Sequence, residues 1–345
     1  MKLTGKARLA LGALVLVPIL ALSACSSSSA ASSSGSTGGT TAALKDGLGS
    51  RATNRTVYFL TYYNPASDSF WNQILSGAED AAKLTHLKLV PQTTDGTDVS
   101  KMVDLVNAAT ATKPAAMAIP FNDPAWEQAS CDASKSGIAI FAYNVPPAGV
   151  AKNCVKAFVG QDFNAVGQII AKQLLKDVHL KAGDKVLCPA EEPTQQYAIQ
   201  RGGGVSSVLK TVGVTCTYLR TGGDDAGALD KMTAWLGANK DVKAIVPLGG
   251  TPHRNAVAAE DAAGVTAPII GFDTSPQVIS GIQSGRILAT ADQQGYVQGF
   301  QAVMQAALYL DFGISPANIN SGGNGLIDKS NVINLQAKDL QGVRW

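Results

Sequence analysis

The sequence predicts an α/β protein built from two doubly wound parallel-sheet domains in tandem. Two observations carry this. From residue 56 onward, short apolar segments of strand length alternate with amphipathic segments of helix length. The alternation then begins again near residue 160 and runs through a second, similar series. The roughly 290 residues that follow the N-terminal segments are enough for two hydrophobic cores of ordinary size.

Before that body, Lys2, Lys6 and Arg8 precede an apolar run from Leu9 to Leu22, interrupted only by Gly12 and Pro18. A basic start and a short apolar run mark an export signal, and the run falls short of the roughly 20 residues that span a bilayer. It ends in Ser23 and Ala24, so cleavage there exposes Cys25. The stretch Leu22-Ser23-Ala24-Cys25 resembles the lipobox of bacterial lipoproteins, which implies lipidation of Cys25; an ordinary secretory signal with an incidental cysteine is the alternative. Several acyl chains, at about 0.8 kcal/mol per buried methylene, hold a protein firmly at a membrane surface. Residues 25–54 are mostly Ser, Gly, Thr and Ala. Such a composition buries too little apolar surface to offset the entropy of ordering it, and reads as a tether.

The chain carries 28 Lys and Arg against 26 Asp and Glu, a formal charge of +2. Three of the basic residues lie in the predicted signal, so the remainder has 25 basic against 26 acidic residues, or −1. No basic block or stripe runs along the chain, which argues against nucleic acid as a partner. Four cysteines follow Cys25, and an exported location permits disulfides. Of the three possible pairings, Cys131 with Cys154 and Cys188 with Cys216 keep each pair within one predicted domain, the second on neighbouring strands. No CxxC occurs, and His86, His179 and His253 have no ligand spacing. Neither a metal nor a cofactor is expected.

The first strand is expected at 56–61, followed by a helix over 69–84. That helix buries Phe70, Ile74, Leu75, Ala78 and Ala82 at three- and four-residue spacing, with Gly77 permitting close approach to a sheet. Further strands are expected at 87–90, 115–119 and 138–142. In the second series they fall at 185–188, 214–219, 244–247, 269–272 and 287–290. All are short and apolar, as parallel strands covered on both faces should be. Ligands of doubly wound sheets sit beyond the carboxyl ends of the strands, so a site between the two domains is expected.

The residues at those strand ends carry a specific likeness. Asp68-Ser69-Phe70-Trp71 precedes Gly77-Ala78, then come Tyr143-Asn144, Arg201-Gly202-Gly203-Gly204, Gly271-Phe272-Asp273 and the run from Ala289 to Gln294. In this order, the body from about Arg55 onward resembles the type I periplasmic sugar-binding proteins of ABC importers, of the ribose and galactose type. The resemblance implies two Rossmann-like lobes joined by a three-segment hinge, near residues 159–161, 290–293 and 324–328, with the ligand cleft between them. The first lobe is then 55–160 plus 293–326 and the second 161–292 plus 327–345. It also implies that Phe70 and Trp71 pack on a sugar ring, that Arg201 reaches sugar oxygens, and that Asn144, Asp273 and Gln293 bind the hydroxyl rim.

The chemistry of a sugar supports those assignments. Its C–H faces suit aromatic planes, and its hydroxyls, which both donate and accept, suit planar polar side chains. Core packing is the other reading of Phe70 and Trp71, and a surface salt bridge that of Arg201. Asp68 either caps its helix or accepts from a hydroxyl. Asp273 either faces the cleft or caps the helix starting near Pro276. The chain departs from the ribose-binding pattern at Asn144-Val145, where relatives carry an Asp-Arg pair, at Pro120, where Asn122 and Asp123 stand close enough to substitute, and at Gly249-Gly250. Ribose is therefore doubtful, while another sugar, a sugar alcohol or a nucleoside stays open. Tyr62 and Glu192 are candidates for the contacts those departures remove.

The expected function is that of an exported, lipid-anchored, monomeric binding protein that delivers a monosaccharide or polyol to an ABC permease; presentation to a membrane receptor is the alternative. Neither GxSxG, P-loop nor HExxH occurs, so no enzyme is expected. Sugar-responsive repressors share the architecture, but here an export signal stands in place of DNA-binding helices.

Overall fold

A computed structural model describes residues 48, 51–94, 98–322, 325–335 and 340–344. The predicted signal, Cys25 and nearly all of the tether lie outside the described residues. Among those described, no helix is long and apolar enough to cross a membrane.

The first series contains β1 (Thr56–Thr61), α1 (Ser69–Thr85), β2 (Lys88–Thr93), α2 (Val99–Ala111), β3 (Ala116–Ile119), α3 (Ala125–Lys135), β4 (Ala139–Asn144) and β5 (Val155–Gly160). The second contains α4 (Phe163–Asp177), β6 (Lys185–Ala190), α5 (Gln196–Leu209), β7 (Thr215–Arg220), α6 (Asp225–Ala238), β8 (Ala244–Ile245), α7 (Gly250–Ala263), β9 (Ile269–Phe272), α8 (Pro276–Ser284) and β10 (Ile287–Ala291). Helix α9 (Gly295–Phe312) and the short strands β11 (Ile319–Asn320) and β12 (Leu326–Asp328) follow.

The strands form two six-stranded sheets, ordered β2-β1-β3-β4-β5-β11 and β7-β6-β8-β9-β10-β12. The two orders are the same, so each sheet reverses direction of winding between its first and third strands, the switch point where doubly wound folds bind ligands. Both sheets end in a strand supplied by the C-terminal segment. Here they differ, because β11 runs parallel to β5 whereas β12 runs antiparallel to β10. The expectation that every strand is covered on both faces holds for the central strands and fails at β2 and β7. Those are sheet edges, and every residue in them is exposed or half-buried. Strand β5 is absent from the expected set because Lys156 interrupts its apolar run.

Helix α1 buries Phe70, Ile74, Ala78 and Ala82 as expected, while Leu75 is only half-buried. Gly77 serves a different neighbour from the one expected. A Cβ there would overlap the carbonyl oxygen of Tyr296 in α9, and one at Gly299 would overlap the carbonyl oxygen of Ile74 in α1. The close approach is therefore helix to helix. The second lobe repeats the device, with Gly167 of α4 against the backbone of Arg201 and Gly204 of α5 against that of Asn164. Of the glycine run at 202–204, Gly204 thus serves a helix interface, while Gly202 lies against the Tyr218 side chain of β7. Cys131 is joined to Cys154 and Cys188 to Cys216, the latter across the paired strands β6 and β7.

Three chain crossings connect the lobes, and they are stitched together. Gln161 donates to the Asp292 carbonyl at 3.4 Å, the Ser321 N–H donates to the Gly160 carbonyl at 2.9 Å, and the Ser321 hydroxyl to the Gln293 carbonyl at 2.8 Å.

Candidate functional site

Between the lobes, at the carboxyl ends of both sheets, lies a pocket. The first lobe contributes Tyr62, which follows β1, with Asp68, Phe70 and Trp71 at the start of α1 and Asn144 at the end of β4. From the second come Arg201 of α5 and Asp273 after β9, and Gln293 enters from a crossing. The structure brings all these expected residues together.

An aromatic wall stands on the first-lobe side. The rings of Tyr62 and Trp71 meet edge to face at 4.5 Å between centroids, and Phe70 meets Trp71 in the same way at 5.8 Å. Edge-to-face contacts fix ring orientation as well as adding to burial, so the wall is set before any ligand arrives. Asp68 caps α1 by accepting from the Trp71 N–H at 3.1 Å, and its other carboxylate oxygen pairs with Arg254 of α7 at 3.1 Å. The cap fixes the helix start that aims both aromatics.

The second-lobe side is ionic. Arg201, only 2% exposed, packs against the rings of Phe163 and Phe272, each 4.5 Å from its guanidinium carbon. It donates to the Leu248 carbonyl at 2.6 Å and pairs with Asp273 at 3.4 Å, so the pair is buried rather than a surface salt bridge. Ser275, not Asp273, caps α8, which leaves the Asp273 carboxylate to Arg201 and to the Gln293 amide that also donates to it. Asn144 in turn donates to Gln293 at 3.2 Å. Asn144 and Asp273 end corresponding strands of the two lobes, and both hold positive φ, 60° and 73°. This left-handed conformation costs energy at a residue other than glycine, least for Asn and Asp, and such strain gathers at functional sites.

Two expected residues stand elsewhere. Glu192 pairs with Arg220 at 2.6 Å and does not line the pocket. Its neighbour Glu191 does, because the chain leaving β6 turns the earlier side chain inward. Asn122 is fully buried, with its amide donating to Gln195 at 2.7 Å and accepting from the Tyr197 N–H at 3.3 Å. It is a tie between lobes. Together with Asp68–Arg254 and the 3.4 Å bond from Gln73 to Thr274, it holds the cleft shut.

Sequence reasoning missed Tyr63, Glu191, Tyr197 and Thr251, and treated Gly249 and Gly250 only as losses. Gly249 has a positive reason to be there: a Cβ would overlap the Glu191 carboxylate. Glu191 accepts from the Tyr197 hydroxyl at 2.6 Å and from the Thr251 N–H at 2.8 Å. Burial pushes its carboxyl above the usual range, an effect those hydrogen bonds partly offset. An acidic residue directly after an apolar strand was the signal available, and it was read one position too late.

A sequence model of the periplasmic binding protein domain matches residues 58–314. The chain belongs to the periplasmic binding protein family. Among relatives of this family, a xylose/arabinose-binding protein of Sulfolobus acidocaldarius is 27% identical over 276 residues, spanning 74% of this chain and 67% of that protein. A D-ribose/D-allose-binding protein of Pseudomonas aeruginosa is 29% identical over 175 residues, spanning 50% of this chain and 54% of that protein. Among solved periplasmic binding proteins, a carbohydrate transporter from Acidothermus cellulolyticus 11B in complex with myo-inositol superposes with a TM-score of 0.73. It shares 27% identity over 84% of this chain and 100% of its own.

Proposed function

We propose that this chain is an extracytoplasmic lipoprotein that captures a monosaccharide or related polyol between two closing lobes and hands it to an ABC importer. The observation that carries the reading is the pocket itself. Aromatic planes on one wall and a linked set of planar polar side chains on the other suit the two kinds of surface a polyol presents. Relatives that bind xylose, arabinose and myo-inositol support the same class.

Capture works by closure. Residues 55–160 with 293–322 move as one body and 161–292 with 325–335 as the other, about the stitched crossings, since β12, Leu326 included, pairs with β10 of the second sheet. A solute that touches Trp71 and Arg201 at once binds the closed form better than the open one, and shifts the population by that difference. The ties Asp68–Arg254 and Asn122–Gln195 then add to the closed state. The closed form docks on the permease, while lipid on Cys25 and the tether keep the protein at the outer face of the membrane. The chain acts by binding alone, as a monomer and without a cofactor.

A thermal-shift screen against pentoses, hexoses, sugar alcohols, cyclitols, nucleosides and amino acids tests the ligand class, because ligand that binds only the native state raises Tm. A shift with a sugar or polyol is expected. A shift confined to nucleosides or amino acids would overturn the class while keeping capture by closure. Loss of solute uptake on deleting the gene separates delivery to an importer from presentation to a membrane receptor.

A further inference from the structure

The pocket contains three carboxylates, and two of them have cations. Asp273 pairs with Arg201, and Asp68 pairs with Arg254, which Asp225 also holds at 2.7 Å. Glu191 has no ion pair among the described residues, although it is 6% exposed. Its hydrogen-bond donors among the described residues, the Tyr197 hydroxyl, the Thr251 N–H and its own N–H, are all neutral. Arg254 acts on it only from beyond ion-pair distance, already committed to two other carboxylates. A lone buried carboxylate is costly unless something neutralises it.

Two further features stand beside it. The Tyr63 hydroxyl is buried with no hydrogen-bond partner among the described residues, and Glu191 is the charged group that acts on it most strongly. The surrounding wall is aromatic, with Tyr62, Tyr63, Trp71 and Tyr197 lining the same pocket. An ammonium group has three donors and no acceptor, so it suits a carboxylate and a tyrosine oxygen together, and ring faces attract it further. A hydroxyl meets only part of this demand and brings no charge.

Resting on the polyol reading above, we propose that Glu191, with Tyr63 and the aromatic wall, is an ammonium-recognition subsite, and that the preferred solute is an amine-bearing polyol such as an amino sugar or aminocyclitol. The Arg201–Asp273–Gln293–Asn144 set binds its hydroxyls and Glu191 its cation. Gly249 belongs to the same device, since it makes the space the carboxylate occupies. Burial raises the Glu191 pKa for want of a cation nearby, and the ligand's ammonium supplies the charge that keeps the group ionised.

The test is isothermal titration of the purified protein with matched pairs: D-glucosamine and D-glucose, D-galactosamine and D-galactose, an inosamine and myo-inositol, each with its N-acetylated amine. In at least one pair the amine is expected to bind tenfold or more tighter than the hydroxyl compound, and N-acetylation to remove that gain. Glu191→Gln, checked for an unchanged fold by circular dichroism, is expected to weaken the amine at least tenfold and the hydroxyl compound less than threefold. Should that variant not fold, raising the pH on the wild type gives a second readout: amine affinity falls as the ammonium deprotonates, while hydroxyl affinity stays level. Hydroxyl compounds binding as tightly as their amines, or tighter, overturns the subsite and leaves polyol capture standing. Silence from every member of every pair overturns both.

Discussion

The two lobes share one strand order and one way of packing helices through glycine, yet they furnish opposite walls of the same pocket. The first lobe offers Tyr62, Tyr63, Phe70 and Trp71, held by ring contacts and a helix cap. The second offers Arg201 and Asp273, held by ion pairing and by the Phe163 and Phe272 rings against the guanidinium, and Glu191, held by hydrogen bonds. The difference teaches how each wall tolerates change. Apolar contact falls off gradually as atoms are removed, whereas a buried charge that loses its partner is left at full desolvation cost.

The sharpest way to break the contrast is Arg201→Ala. It leaves Asp273 buried without its cation and is expected to cost about 3–5 kcal/mol of stability by urea denaturation, besides weakening solute at least tenfold. Replacing both charged partners with neutral ones, as Arg201→Met with Asp273→Asn, which keeps a residue suited to the positive φ, should restore most of the stability and none of the binding. Gly249→Ala comes next. Its methyl displaces the Glu191 carboxylate, with an expected loss of about 1–3 kcal/mol by the same assay. Retained wild-type stability would mean that the second wall has slack.

Behind that wall, His253 is fully buried and bonds the Phe272 carbonyl through Nδ1 at 2.7 Å. Burial lowers its pKa to about 4, against a small rise from that bond. Between roughly pH 6.5, the unfolded value, and pH 4, the unfolded chain binds a proton that the folded one does not. Stability therefore falls with falling pH across this window, by at most about 1.4 kcal/mol per unit from this residue. Glu191, Asp292 and Glu260, raised by burial, act in the opposite sense. The check is the difference in slope between wild type and His253→Gln, which should be shallower for the variant. On the aromatic wall the expected effect is smallest: Trp71→Phe keeps a ring and should cost about 0.5–1.5 kcal/mol of binding, with little change in Tm. A loss as large as that of Arg201→Ala would erase the contrast between the walls.

Much of this was legible beforehand. Apart from β5, the strands of both series stand where apolar runs placed them, and the start of α1 is marked by Asp68 ahead of its amphipathic turn pattern. Phe70, Trp71, Arg201 and Asp273 reach one pocket because each sits at the carboxyl end of a sheet, a place that topology dictates. The unread parts have a common cause. Glu191 and Glu192 are chemically identical, and successive side chains of an extended segment point to opposite sides, so an error of one residue exchanges cleft for surface. Asn122 was within reach of the cleft, but its partners Gln195 and Tyr197 lie on the other lobe, over 70 residues away.

The sequence by itself therefore determined what local chemistry can specify: two doubly wound halves, their strand ends, and a set of aromatic and polar residues fit for a polyol. Apolar periodicity and helix capping act over a few residues, so they are written in order along the chain. Only the tertiary structure decided that Gly77 meets a helix, that Asn122 ties the lobes, and that Glu191 faces the pocket with no ion-pair partner among the described residues. Those outcomes depend on which distant side chain arrives opposite, and long-range packing alone fixes that.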